Sequence, residues 1–171
     1  MRLFLASNNS HKAAEFNALA RSAGRDLEIL PATAAGGMPD VAEDTGAFAG
    51  NARKKALALL PKLPPDAWAL SDDSGICVDA LGGGPGVESA YYAGRPGDSA
   101  ANLAKLISTL ENLPPGTSRR AHYHCHLCLL SANGAEHHFE GQCHGRLVTT
   151  PRGRNGFGYD PIFIPDGHAQ T

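Results

Sequence analysis

Two acidic pairs, Glu43-Asp44 and Asp72-Asp73, offer the oxygen ligands that a hard divalent cation takes. Consecutive side chains on a strand point to opposite sides, so Asp72 and Asp73 should not face one pocket together; one faces it while the other packs or hydrogen-bonds behind. The structural alternative makes Asp44 a helix cap and Asp72-Asp73-Ser74-Gly75 a turn. A different chemistry is written in Ser7-Asn8-Asn9-Ser10-His11-Lys12, where a short apolar run gives way to a helical pattern. The free N–H groups and the positive dipole end of a helix start favour an anion, and Lys12 adds a full charge. The segment lacks the glycines of a Walker A loop, so it is no P-loop, and a plain N-cap with a solvated lysine is its other reading. In Asn155-Gly156-Phe157-Gly158-Tyr159-Asp160, two aromatics spaced by glycine stand beside an acid. An aromatic face can stack on a base, and the same residues also suit a turn whose rings plug a core.

A fourth pattern, His122-x-His124-Cys125-His126-x-Cys128, invites a zinc assignment. On a strand Cys125 and Cys128 fall on opposite faces, so this CxxC cannot close on one metal without a turn. His122, His124, His126 and Cys128 do share a face, but no second cysteine pair with ribbon spacing follows. A structural zinc site on these spacings is therefore not expected.

Helices and strands must position these groups. Arg2–Ala6 reads as a buried strand, and Lys12–Ala23 carries helical spacing closed by Gly24; Leu27–Leu30 is a second strand, a β-α-β opening. A loop over 31–43 leads to a helix capped by Asp44-Thr45, with Phe48, Ala52, Lys55, Ala56 and Leu59 on one side. Ala67–Ser71 is the next strand, followed by an acidic loop at 72–75, a further apolar stretch over Ile76–Leu81, and a loop over 82–97. Asp98 or Ser99 caps a third helix bearing Leu103, Leu106, Ile107 and Leu110. Asn133-Gly134 signals a hairpin between 120–131 and 135–149, and Pro161–Ile164 is a last strand. The fold class is α/β with mixed strands, in one domain of 171 residues.

Composition narrows the partners. Fifteen Lys and Arg against seventeen Asp and Glu give a net charge of -2, which excludes a bulk phosphate-backbone binder, so no nucleic acid is expected. The N-terminal apolar run, Leu3–Ala6, is far below the about 20 residues of a membrane span, so the expectation is a cytoplasmic protein without a membrane partner. Cys77, Cys125, Cys128 and Cys143 are too few and too scattered for a disulfide scaffold.

Four blocks in order, LASNNSHKAAEF (5–16), EDTGAFAGNARKKA (43–56), LSDDSGICVDALGGGPGVESAYYAG (70–94) and PRGRNGFGYDPIF (151–163), resemble the inosine/xanthosine triphosphate pyrophosphatases. The resemblance implies an elongated mixed sheet with flanking helices, two lobes around a nucleotide cleft, and a homodimer. It implies Mg²⁺-dependent hydrolysis of ITP, dITP and XTP to the monophosphate and pyrophosphate. Carried over residue by residue, the phosphate-binding loop falls on Ser7, Asn8, Asn9, Ser10, His11 and Lys12. The general base falls on Asp73, the metal carboxylates on Glu43 and Asp73, and the contact after the base on Ser74. Nucleotide binding falls on Phe157, Gly158, Tyr159 and Asp160, and Asp44 is left between the metal shell and a helix cap. Tyr91 departs from the arginine usual in that family's S-A-R-Y-A-G run. That family continues through a T-x-A-E segment to a Lys, a Ser-His-Arg motif and a final helix. Residues 1–171 are therefore expected to be a single nucleotide pyrophosphatase domain lacking that segment. On that expectation a nucleotide-binding module with little turnover is the alternative.

Overall fold

The computed structural model describes residues 2–153 and 156–171, without the side chains of Ser10 and His11. Its elements are β1 (Arg2–Leu5), α1 (Ser10–Ser22), β2 (Glu28–Pro31), α2 (Phe48–Leu59), β3 (Ala67–Val78), α3 (Ser99–Glu111), β4 (Arg120–Ser131), β5 (Glu136–Leu147) and β6 (Phe163–Pro165). The strands form a sheet in the order β2-β1-β3-β4-β5-β6. β1 runs parallel to both β2 and β3, with Leu3 opposite Ile29 and Trp68, whereas β5 and β6 are antiparallel, so the sheet is mixed. Among the described residues no helix is long and apolar enough to cross a membrane.

The chain divides into two compact units, Met1–Asp73 with His126–Glu140, and Ser74–Cys125 with Gly141–Thr171. In the first, Leu3, Leu5, Ala13, Ile29 and Leu70 form one apolar cluster, and Ala52, Ala56, Ala69, Cys128 and Leu130 another. The small alanines of α2 let its backbone approach the sheet closely. On α1, Asn17 uses its side-chain amide to donate to Ile29 O at 2.7 Å and accept from Ile29 N–H at 2.9 Å. Those bonds satisfy backbone groups of β2 and fix the helix that carries Lys12.

The second unit is built on Ile76, Val78, Leu106, Leu110, Ala121, Leu147, Tyr159, Ile162 and Phe163. Asp98 caps α3 as its position suggests, accepting from Ala101 N–H. Leu106 and Leu110, one turn apart, are fully buried, each contributing about 1.5–3 kcal/mol. β4 and β5 meet at the expected hairpin, where Gly134 takes φ +88°, a conformation that disfavours a side chain.

Three expectations about elements are corrected. Residues 72–75 do not turn: β3 runs unbroken from Ala67 to Val78. Asp and Gly disfavour strands in isolation, but burial and ion pairing of the two carboxylates override that preference. Asp44-Thr45 does not cap α2, which starts at Phe48 with Ala47 before it, because Thr45 instead bonds the side chain of Asn51. The last strand begins two residues late, after a 3-10 turn over Asp160–Ile162, since Pro161 has no N–H to give a ladder.

Candidate active site

The alternation of β3 decides the geometry. Asp72 turns to α1, where Lys12 Nζ donates to its Oδ2 at 2.5 Å. Asp73 turns to α2, accepting from Lys55 Nζ at 2.8 Å on Oδ1 and from Asn51 Nδ2 at 3.2 Å on Oδ2. The two carboxylates are 5% and 6% exposed, so each lysine neutralises a charge that would otherwise be costly to bury. Asp72 Oδ1 is buried and has no hydrogen-bond partner among the described residues, an acceptor left open.

Lys55 joins two of the expected residues. Its ammonium donates to Glu43 Oε2 at 2.9 Å as well as to Asp73. Asp44 goes elsewhere, to Lys54 at 2.5 Å. Of the acidic pair at 43–44, therefore, Glu43 is the one linked to Asp73. Asn51, fully buried, accepts from Thr45 N–H and Oγ1 while it donates to Asp73, and so ties the Glu43-Asp44-Thr45 segment to β3.

Burial pushes Asp73 up from 3.8 to about 6; Lys55 opposes the rise and Glu43 adds to it. Glu43 lies below its ordinary value: partial burial would raise it, but the bond and charge of Lys55 outweigh that. Burial would lower Lys55, yet Asp73 and Glu43 together hold it above the usual lysine range. A carboxylate poised near neutrality beside a second carboxylate can exchange a proton at working pH. The donors here are all oxygen and their counter-charge is an ammonium, which is the chemistry that suits a hard divalent cation.

Ser7, Asn8 and Asn9 link β1 to α1. Ser7 Oγ accepts from Asn9 N–H at 3.1 Å, and Asn8 and Asn9 are exposed. The side chains of Ser10 and His11 lie outside the described residues, as does Asn155 of the aromatic motif. Ser74 follows Asp73 in β3 and is exposed.

Phe157, Gly158, Tyr159 and Asp160 belong to the second unit and divide by role. Phe157 is 64% exposed, whereas Tyr159 is 5% exposed and donates its hydroxyl to Ser89 O at 2.8 Å. Burial pushes that phenol up to about 12. Asp160 accepts from Tyr123 OH through Oδ1 and from Phe157 N–H through Oδ2, which fixes the turn. The core-plugging reading of the motif holds for Tyr159, and Phe157 is left exposed.

Two residues escaped the sequence reading, Asn51 and Lys55. The signal was present: a lysine in the otherwise apolar stripe of α2, with an asparagine four residues before it.

Sheet and centre together define a class: mixed α/β proteins in which one strand hands neighbouring carboxylates to lysines of two helices. Residues 3–171 match the model of the Ham1 family, and the chain belongs to that family. It is 57% identical over 171 residues to the dITP/XTP pyrophosphatase of Opitutus terrae, covering 98% of this chain and 84% of that protein. The dITP/XTP pyrophosphatase of Streptomyces avermitilis is 44% identical over 172 residues, covering 99% of this chain and 84% of that protein. Among solved structures, a HAM1 protein from Coxiella burnetii superimposes with a TM-score of 0.86 at 36% identity, covering 100% of this chain and 85% of that one.

Proposed function

We propose that this chain hydrolyses non-canonical purine nucleoside triphosphates, ITP, dITP and XTP, to the nucleoside monophosphate and pyrophosphate. Its residues 1–171 act as a nucleotide pyrophosphatase domain, and it works as a homodimer in the cytoplasm. The observation that carries this reading is Asp73: buried, held by Asn51 and Lys55, and raised to about 6. Family membership and the named activity of relatives up to 57% identical support it.

Asp73 takes the proton of the attacking water as the α–β phosphoanhydride bond opens and pyrophosphate leaves. Asn51 aims the carboxylate, since its own carbonyl is committed to Thr45. Lys12 and the first-turn N–H groups of α1 hold phosphate oxygens, with Ser7, Asn8, Asn9, Ser10 and His11 forming the loop around them. Asp72 fixes the position of the Lys12 ammonium. Glu43 and Asp73 would hold Mg²⁺, in exchange for the ammonium of Lys55 that now bridges them. When bound, that ion neutralises triphosphate charge and lowers the pKa of coordinated water. Ser74 contacts the phosphate chain beside the base. Phe157 stacks on the purine, while Gly158 leaves room and Tyr159 and Asp160 anchor the turn.

The test is pyrophosphate release from ITP, dITP, XTP, ATP and GTP with and without Mg²⁺. Release from the first three well above the last two, dependent on the metal and lost in Asp73→Asn, is the expected result. Equal turnover of all five would remove the specificity, and activity in Asp73→Asn would remove the base.

A further inference from the structure

The hairpin of β4 and β5 holds a second group of metal-ligating side chains, all in the first unit and none of them part of the acidic centre. Cys128 Sγ, a Glu136 carboxylate oxygen and a His138 ring nitrogen lie within 4.8 Å of one another. Cys128 is fully buried against Ala52 and Ala56 of α2, and its thiol is unpaired with any other cysteine. His138 is already oriented: its Nδ1 meets His126 Nε2 at 2.8 Å, and its Nε2 meets Glu136 Oε1 at 2.7 Å. Metal-bound histidines characteristically use one ring nitrogen for the ion and the other for a hydrogen-bond partner, so an ion would replace the proton that Nε2 now shares with Glu136 and leave Nδ1 with His126.

We propose that Cys128, Glu136 and His138 bind a borderline divalent cation of the zinc class, with His126 as the partner that fixes the His138 ring. Sulfur, nitrogen and oxygen ligands in a group of three, with a fourth position open, suit Zn²⁺ or Co²⁺. A thiolate ligand does not suit Mg²⁺, so the site is chemically separate from the oxygen-only centre at Glu43 and Asp73. Two residues, His126 and Cys128, come from β4 at a spacing of two, and Glu136 and His138 from β5 at the same spacing. That is why the CxxC pattern in the sequence misleads: the second half of the donor set lies across the hairpin.

A competing cation sits at the site's edge. Arg53 Nε donates to both Glu136 oxygens, at 2.9 and 3.2 Å. Its side chain is 50% exposed, and an ion pair of that exposure contributes little, so the guanidinium can yield to a metal. Removing Arg53 should therefore strengthen metal binding, an effect opposite in sign to loss of a ligand.

The test is calorimetric titration of the whole chain with Zn²⁺ in saturating Mg²⁺, together with the absorption spectrum of the Co²⁺ form. One equivalent per chain that Mg²⁺ does not displace, with a sulfur-to-cobalt charge-transfer band, is expected. His138→Gln, an exposed position checked for folding by its cooperative melt, should weaken binding at least about tenfold, and Cys128→Ala should abolish the band. Arg53→Gln should tighten Zn²⁺ several-fold. Absence of stoichiometric Zn²⁺, displacement by Mg²⁺, a Co²⁺ spectrum without the thiolate band, or unchanged affinity in both His138→Gln and Arg53→Gln would each overturn the assignment. Pyrophosphate release by the parent chain is read separately, so failure of this site leaves the acidic centre untouched.

Discussion

Replacing Asp73 by asparagine should make the protein gain stability relative to the parent as the pH rises to neutral, while it abolishes turnover. The aspartate has an ordinary value of 3.8 and is lifted to about 6 by burial. At about 1.4 kcal/mol per pH unit, ionising it in the folded state costs about 3 kcal/mol. The folded protein binds this proton more tightly than the unfolded chain does. Its contribution is therefore fully present below about pH 4, is lost as the pH climbs through about 6, and stays lost above. Asparagine has nearly the same shape, keeps an oxygen for Lys55 and does not titrate; its amide then faces the Asn51 amide, a cost that is the same at every pH and leaves the pH-dependent gap intact. Lys55 remains charged throughout this range and keeps Glu43, so its altered pairing shifts the comparison by a near-constant amount. Urea unfolding at pH 4, 5, 6 and 7 in a chelating buffer reads the difference directly. Between pH 4 and 7 the gap between variant and parent should widen in favour of Asp73→Asn by about 2 kcal/mol, or about 1–2 M in midpoint. Parallel profiles, or a gap that closes with rising pH, would refute the account of Asp73 as a buried carboxylate held in reserve for a proton.

Lys12→Met leaves Asp72, 5% exposed, without its cation, and should cost about 3–5 kcal/mol in urea unfolding. Adding Asp72→Asn should recover most of that stability and none of the pyrophosphate release, because the proposed phosphate grip, Lys12, is still missing. Gly75→Ala would place a Cβ 2.1 Å from Gly86 O and 2.6 Å from Ser89 Oγ, and a backbone oxygen cannot retreat. A loss of about 1–3 kcal/mol or more is expected, read as a lowered Tm.

The elements legible in the sequence were those with local causes. Asp98 caps α3 through its own side chain, and Gly134 makes the hairpin turn with the positive φ that glycine tolerates. Asp72 and Asp73 do point to opposite sides, as strand alternation predicts, although they sit in a strand interior and not at a strand end. What local patterns could not supply was the tertiary partner. Asp72-Asp73-Ser74-Gly75 reads as a turn until Lys12 and Lys55, 60 and 18 residues away, are known to meet it. Lys55 itself reads as one more residue of an apolar helix face, and nothing nearby says that it bridges Glu43 and Asp73. Thr45 reads as a cap for the same reason, its real partner Asn51 being a buried side chain.

The interleaving of the two units bears on how this enzyme is made. The first unit needs Cys128 and Leu130 to close the cluster formed by Ala52, Ala56 and Ala69, yet the whole of Ser74–Cys125 is synthesised in between. At about 5–20 residues per second, those roughly fifty residues hold the growing chain open for about 3–10 s. During that interval the apolar stripe of α2 faces solvent or a chaperone on the ribosome. Substitutions in the β4–β5 hairpin that slow its pairing should therefore reduce the yield of soluble enzyme before they alter the activity of the molecules that mature.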